Sequence, residues 1–470
     1  FGSLQKGQTF YDTNLGEDQN KRTSISYDGS RIAIGMMDSS EVIIMQWNGT
    51  NWQSFGSPIQ FSDPKRVNIS GNGNVVAIGN SNSFTIYEHS GSWNFINSWG
   101  GINAESQLAL DYNGTTMVLG TNDEVRVYKK NNNSWGNDVI LSFSGINPIG
   151  GIAVDIDSIG NRIVLGISDG NTTGPGDVYV YERVSQNNWT SIGSNPMFPS
   201  GSIQSSTNNY SFGFDVSISA DGNTVVGGGY GNYGMSAGSN ACGGYSYAGH
   251  AEVYEYDGNT YWNKVGSTIC GNGPSEYMSL VSLSADGKKL VFSSINNSYA
   301  PTRYYENISG VWTQIWTGSG YARINGSGNS IITELSGSPG SIAGSASVIQ
   351  LNLECPSGCT DPLALNYDSL AVMDDSSCCY DCGRIEGFVY EDADTSASFD
   401  SIVEAPLGSQ IIQLEKSNGE LSYLTTQSNG YFSFFVDTGQ QVISYIPPAF
   451  WQSSNNTTQY SIDILTDSTY

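Results

Sequence analysis

The sequence predicts an all-β protein: a seven-bladed β-propeller over residues 1–353, a small disulfide-rich linker module over 354–382, and a β-sandwich over 383–470. Three observations predict it. One turn-and-strand phrase recurs seven times before residue 353. Glycine (57 residues) and aromatics (12%) are abundant while charged residues are sparse (13%), which favours strands and tight turns. Of the 7 cysteines, Cys355, Cys359, Cys378, Cys379 and Cys382 crowd into one short stretch after the repeats end.

The repeat comes first. Its turn and following strand read Asp28-Gly29-Ser30-Arg31-Ile32-Ala33-Ile34-Gly35, and again Asn72-Gly73-Asn74-Val75-Val76-Ala77-Ile78-Gly79. They return as Asn113-Gly114 to Gly120, Ile159-Gly160 to Gly166, Asp221-Gly222 to Gly227, Asp286-Gly287 to Phe292, and Ser327-Gly328 to Ile332. Asn-Gly and Asp-Gly suit two-residue hairpins, in which both central residues take positive φ. The next strand ends in pairs such as Ile86-Tyr87, Val127-Tyr128, Val180-Tyr181 and Val253-Tyr254, and Trp then follows at 52, 93, 135, 189, 262 and 312. Four short antiparallel strands per repeat cannot bury both faces alone, so neighbouring repeats must cover them, most simply around an axis. Trp at equivalent positions then belongs between blades rather than on a ligand.

The seventh repeat reaches Ser347-Val348-Ile349-Gln350-Leu351 and lacks a fourth strand. The N-terminal phrase Ser3-Leu4-Gln5-Lys6-Gly7-Gln8-Thr9-Phe10 resembles the fourth-strand phrase Trp52-Gln53-Ser54-Phe55-Gly56-Ser57-Pro58-Ile59. A strand over 4–10 is therefore expected to complete the last blade and remove an exposed edge.

Charge bounds the partners. With 18 basic against 44 acidic residues the net charge is −26, so the chain has little with which to neutralise phosphates. Nucleic acid and anionic membrane surfaces are excluded as expected partners. No run of 18 apolar residues exists, so no membrane insertion is expected. The cysteines point to disulfides and an extracellular, secreted location. The start at Phe1 and the strand-like run from Asp463 to Tyr470 make a piece of a longer protein the expectation.

Ser219-Ala220-Asp221-Gly222-Asn223-Thr224-Val225-Val226 and Gly249-His250-Ala251-Glu252-Val253-Tyr254-Glu255-Tyr256 resemble the propeller repeats of large secreted proteins from Bacteroidota, marine algae and their viruses, distantly similar to FG-GAP repeats. The calcium loops common in FG-GAP blades are approached only at Asp155-Ile156-Asp157-Ser158-Ile159-Gly160. Further on, Cys359-Thr360-Asp361-Pro362, Ala364-Leu365-Asn366-Tyr367 and Asp374-Asp375-Ser376-Ser377-Cys378 resemble a short disulfide module of marine secreted proteins, which implies a Cys359–Cys378 bridge. Ser376 stands where that module carries Gly. Cys242 and Cys270 of the fifth repeat are expected to pair, and Cys355 with Cys382 is one option that leaves Cys379 over. Zinc is disfavoured, since no His is near and two Cys-x-x-Cys knuckles are missing.

Strands are expected at 384–390, 409–415, 421–426, 431–436 and 441–446. Gly387-Phe388-Val389-Tyr390, the acidic loop after it and Ser428-Asn429-Gly430-Tyr431-Phe432 resemble the B-type sandwich repeats of surface adhesins, which are similar to transthyretin-like domains of carboxypeptidases. The resemblance implies Ca²⁺ held by Asp392, Asp394, Asp400 and Glu404, hard oxygen ligands around a loop. A solvated acidic loop is the other reading; Ser396-Ala397 replaces the family's Asn-Gly, and Glu404 falls one residue late.

Chemistry is scarce. The 2 histidines, His89 and His250, both read as structural, and no Ser/His/Asp set assembles. The chain lacks the Ser-x-Asp-x-Gly-x-x-Trp turn of sialidase-type propellers, since its Asp and Gly are adjacent. Tyr230, Tyr233, Tyr245 and Tyr247 lie in the long excursion of the fifth repeat, an aromatic-polar mixture of the kind recognition loops favour, unless the loop is merely stapled by Cys242. The resemblances imply a non-catalytic structural or adhesive subunit of a surface assembly, a docking head on a stalk. Its expected partners are other copies or subunits of that assembly, or surface glycans. A glycan-binding lectin is the alternative, and a polysaccharide-acting enzyme the third.

Overall fold

The computed structural model describes residues 2–12, 22–101, 107–131, 134–143, 151–168, 176–193, 203–204, 211–229, 242, 247–294, 301–335 and 344–352. Beyond these it describes 357–359, 361, 364, 373–374, 378, 383–392, 404–408, 410–417, 419, 421–427, 429–436, 438–446 and 458–464. All regular structure among them is β, and the chain divides into two compact units, Phe1–Leu353 and Glu354–Tyr470.

The first unit holds seven antiparallel sheets of four strands, four of them carrying a fifth short strand. Their first strands are Thr23–Ile25, Arg66–Ile69, Leu108–Leu110, Ala153–Ile156, Asp215–Ile218, Met278–Leu283 and Tyr321–Ile324, numbered here as sheets 1 to 7. Each first strand leaves through the repeated turn. The turn glycines Gly29, Gly73, Gly114, Gly160, Gly222, Gly287 and Gly328 all have φ between +66° and +72°. Only the glycine is left-handed, which corrects the expected hairpin with two positive-φ centres. In sheet 1 the Gly29 N–H donates to the Ser26 carbonyl at 3.0 Å, so Tyr27 and Asp28 make the bend and the glycine follows it. The Ser26 and Asp28 side chains then accept the N–H groups of Arg31 and Ser30.

This turn type leaves one N–H and one carbonyl per turn pointing sideways, and these link the sheets. Tyr27 N–H donates to Gly71 O, Asn72 to Tyr112 O, Tyr112 to Ser158 O, Ser158 to Ala220 O, Ala220 to Ala285 O and Ala285 to Gly326 O. The seventh bond, from Ser327 N–H to Tyr27 O at 3.1 Å, returns to the start.

The seams between sheets hold the cores. Trp52, Trp135, Trp189 and Trp262 are buried. Trp52, Trp93, Trp262 and Trp312 donate their Nε1–H groups to Lys6, Phe55, Ile192 and Val265 carbonyls of the preceding sheet, at 2.7, 2.7, 3.1 and 3.0 Å. Each carbonyl precedes a positive-φ glycine (Gly7, Gly56, Gly193, Gly266) on which the indole rests; a Cβ at Gly193 would lie 2.4 Å from Trp262. The same glycine breaks the outer strand in two, and this is why four sheets carry a fifth strand.

The N-terminal segment shows the pattern. Gly2–Gln5 pairs antiparallel with Ile349–Asn352, and Phe10–Asp12 with Gly344–Ala346. The expected single strand over 4–10 is instead two short ones, because Gly7 turns aside (φ +75°) to seat Trp52.

In the second unit, Gly383–Phe388 pairs with Tyr431–Val436. A four-stranded sheet runs Leu421–Thr425, Ile411–Glu415, Gly439–Ile446, Gln459–Ile464. Ile385, Phe434 and Val436 from the pair share one apolar cluster with Ile412, Leu414, Ile443 and Ile464 from the sheet. The last strand begins earlier than the sequence indicated, at Gln459, because its alternation is hidden among polar residues.

Removing residues 1–10 strips the outer pairing from Gly344–Asn352 and uncovers Trp52 in its seam. The expected result is a melting temperature lower by at least about 5 °C in calorimetry. An unchanged transition would show that these residues contribute nothing to closure.

Candidate functional site

All seven first strands line one cavity of about 220 Å³. That lies below the several hundred Å³ of typical small-molecule sites. The middle residues of these strands are Ser24, Asn68, Ala109, Asp155, Ser217, Ser282 and Arg323. Five of them accept a backbone N–H from the next sheet: Ser24 from Ile69, Asn68 from Leu110, Asp155 from Ile218, Ser217 from Leu283 and Ser282 from Ile324, at 3.0–3.2 Å. Asp155 further accepts the Ser217 hydroxyl. Between the last sheet and the first, buried Glu334 accepts both the backbone N–H and the hydroxyl of Thr23, at 2.8 and 2.6 Å.

The two middle residues that cannot accept are Ala109 and Arg323. Arg323 Nη1 lies 3.5 Å from the Asp215 carboxylate, which itself accepts the Val281 N–H. Burial pushes the carboxyls of Asp155, Asp157 and Glu334 above the ordinary range, against the pull of the N–H groups they accept. Asp157 is tied to its own turn, accepting Asn161 N–H at 2.8 Å. These carboxyls therefore do the work that serine and asparagine do in neighbouring sheets. A general acid or nucleophile needs a carboxyl free to reach a substrate; Asp155 and Asp157 are engaged by the framework, while Glu334 is held through Oε1 and keeps Oε2 buried without a hydrogen-bond partner among the described residues.

Sheet 5 carries a different constellation at the base of its excursion. A Cys242–Cys270 disulfide closes it. Of the four tyrosines predicted there, Tyr247 is described, while Tyr230, Tyr233 and Tyr245 lie outside the described residues. Tyr247 stacks on Tyr277 of the segment entering sheet 6, with ring centroids 5.0 Å apart and planes at 24°. Sequence reasoning missed Tyr277. Both tyrosines, with Ser211 and Ser275, are left-handed (φ +56°, +50°, +65° and +61°), half of the eight non-glycine residues in that region among the described ones. Each such residue costs about 1–3 kcal/mol, and such strain concentrates at functional sites.

Below them His250 is 1% exposed, stacked on Phe212, and neither ring nitrogen has a hydrogen-bond partner among the described residues. Burial lowers its pKa to about 4, Lys264 adding to this and Glu252 opposing it. Burial pushes Glu252 up, but Tyr254, His250 and Lys264 outweigh it and hold the carboxyl at about 2. Tyr254 Oη, Lys264 Nζ and Thr268 Oγ1 all donate to Glu252, at 2.6–2.9 Å. His89 stacks on Phe55 at 4.1 Å against Trp93. Neither histidine is placed for proton transfer.

In the second unit, Cys359–Cys378 is a disulfide, which removes both from any zinc set; Cys355, Cys379 and Cys382 lie outside the described residues. Asp394 and Asp400 also lie outside them. The isolated Tyr390↔Pro406 bridge and the Glu391 N–H to Ala405 carbonyl bond bring together the two segments that carry Asp392 and Glu404, two of the four acidic candidates. Among the described residues no three His, Cys, Asp or Glu side chains gather into a metal cluster.

No family model matches the sequence, and no curated protein does. Among solved structures the chain is similar to one of Kuenenia stuttgartiensis hydrazine synthase, with a TM-score of 0.51 and 11% identity, covering 73% of this chain and 98% of that one. The likeness is one of fold alone. U3-55K (TM-score 0.49, 13% identity, 74% of this chain and 98% of that one) and a functionally unknown protein from Desulfotomaculum acetoxidans (0.41, 14%, 64% and 84%) are similar at scores that carry no argument.

The buried histidine sets a pH dependence. Its folded pKa, about 4, is below the ordinary 6.5, so the unfolded chain takes up the proton first. Stability present above pH 6.5 is therefore lost as pH falls from 6.5 to 4, by about 3 kcal/mol. Denaturant titrations at pH 7 and pH 4.5 should show this loss in the native chain and a smaller one in His250→Phe. Equal losses would show that His250 does not titrate on unfolding.

Proposed function

We propose that residues 1–353 are a seven-bladed β-propeller of FG-GAP-like type acting as a non-catalytic docking head in an extracellular surface assembly. The second unit would be its stalk, a short disulfide module followed by an adhesin B-type sandwich. The observation that carries this reading is the fate of the axial polar groups: five of the seven middle side chains of the first strands accept a backbone hydrogen bond from the neighbouring sheet. A ring clasped in this way is a rigid scaffold. The seven-bond circuit through the turns supports the propeller, and the two disulfides are compatible with an extracellular protein. The partner is another subunit of the assembly or a surface glycan; phosphate-bearing polymers are disfavoured by a net charge of −26.

The test is assembly. Electron micrographs of the full chain should show ordered self-association. A monodisperse monomer under every condition, or turnover of a polysaccharide abolished by Asp155→Asn, would overturn the reading.

A calcium ion belongs to the same proposal. Asp392 and Glu404 fit the hard-oxygen chemistry of Ca²⁺, with Asp394 and Asp400 supplying the remaining charge. Calcium should raise the melting temperature of the second unit by several degrees in calorimetry, and chelation should reverse it. Indifference to chelation removes the ion.

A further inference from the structure

The corner between sheets 5 and 6 is irregular backbone fixed by several independent contacts. The excursion of sheet 5 returns through Tyr247-Ala248-Gly249 and runs parallel beside Tyr277-Met278, with a Gly249↔Met278 bridge. Tyr277 N–H donates to Tyr247 O at 2.8 Å, and Gly271 N–H to Gly249 O at 3.1 Å. A Cβ on Gly249 would stand 1.8 Å from the Met278 carbonyl oxygen, so only glycine passes here. The Cys242–Cys270 bridge ties the excursion to the outer strand of its own sheet. On the sheet 6 side, Glu276 is clamped by Arg303 through two bonds of 2.8 and 2.9 Å and accepts the Asn272 N–H at 2.8 Å.

None of this is needed to close the ring, which the turns and seams already do. Its product is two tyrosine rings in fixed offset stacking, held by left-handed backbone that bulky side chains avoid. Both rings are half-buried, and beside them stands a carboxylate–guanidinium pair oriented by the framework. A flat aromatic face takes up the C–H face of a pyranose ring, and the Tyr277 phenol and the Glu276 carboxylate offer polar groups to hydroxyls, while buried Arg303 serves to hold that carboxylate. Tyrosine suits this because it brings contact area with little conformational entropy to lose. The neutralised Glu276–Arg303 pair gives no net charge with which to select an ion, so the ligand class is a neutral saccharide.

We infer that Tyr247 and Tyr277, with the Glu276 carboxylate held beside them by buried Arg303, form a binding platform for a neutral, hydroxyl-rich saccharide chain. This rests on the reading of the first unit as a non-catalytic head and names its ligand class and site.

The experiment uses the full chain on a panel of immobilised neutral polysaccharides (amylose, mannan, xylan, cellulose and pullulan). The native chain should be retained on at least one. The double variant Tyr247→Asn, Tyr277→Asn removes both rings while asparagine still tolerates left-handed backbone. Its retention should fall about tenfold or more at an unchanged melting temperature, and Tyr277→Phe should keep most of it. Should the double variant unfold, the single variant Tyr277→Asn decides instead: its retention should fall several-fold, and retention equal to that of the native chain overturns the site. Retention on none of the five, or equal retention of a folded double variant, also overturns it. The outcomes separate from those of the assembly test. A double variant that assembles normally but no longer binds leaves the docking-head reading in place, while a native chain that binds yet never assembles sinks that reading and keeps the platform.

Discussion

The first unit depends on a backbone hydrogen bond made seven times. In each repeat, the residue that begins the turn out of the first strand, or its neighbour, donates its N–H to the carbonyl of the corresponding turn one sheet along, and the last returns to Tyr27. A backbone N–H held away from water must find a partner, and here the partner exists only if the next sheet stands at the right rotation. This turns a local turn geometry into a global rule. The seven turn glycines share a φ within six degrees, so every first strand leaves through the same turn.

The seams obey a second rule, read from the outside of the sheets. An indole is large and carries one donor that must be satisfied when buried. Trp52, Trp93, Trp262 and Trp312 meet that need with a carbonyl of the preceding sheet, which is presented only because a left-handed glycine interrupts the outer strand beside it. Trp189 uses a side chain instead, donating to Asp138, which Arg183 also holds. One chemical requirement thus explains the burial of the tryptophans and the splitting of four outer strands. It also explains the N-terminal segment, where Lys6-Gly7 serves Trp52 from the other end of the chain.

The two rules leave polar chemistry in contrasting states. Along the first strands, the Asp155 carboxyl and one oxygen of Glu334 accept hydrogen bonds from the next sheet, Glu334 Oε2 is buried without a hydrogen-bond partner among the described residues, and burial disfavours the charge of both. Arg323 stands where other sheets place Ser, Asn or Asp and balances the Asp215 carboxylate instead of accepting an N–H. At the sheet 5–6 corner the backbone is left-handed at Tyr247, Ser275 and Tyr277, and both tyrosine rings are half-buried.

The repeat, the number of copies and the seam positions were legible in the sequence because each is a matter of period and residue size. A strand pair, a glycine and a tryptophan returning at fixed intervals need no tertiary information. Pairing of Cys242 with Cys270 was legible for a related reason, since both lie in one repeat. The turn type was not, because Asp-Gly is compatible with several turns and the bond to the neighbouring sheet selects among them. The clasp residues were not, since a serine in the middle of a three-residue strand looks like any other serine until the next strand's N–H is placed beside it. Tyr277 escaped for the same reason: it belongs to the following repeat, and only a parallel bridge across a sheet boundary brings it against Tyr247. The sequence by itself determined how many sheets there are and what lies between them. Only the tertiary structure decided which polar groups face one another, because those contacts join residues unrelated by period and separated by tens to hundreds of positions.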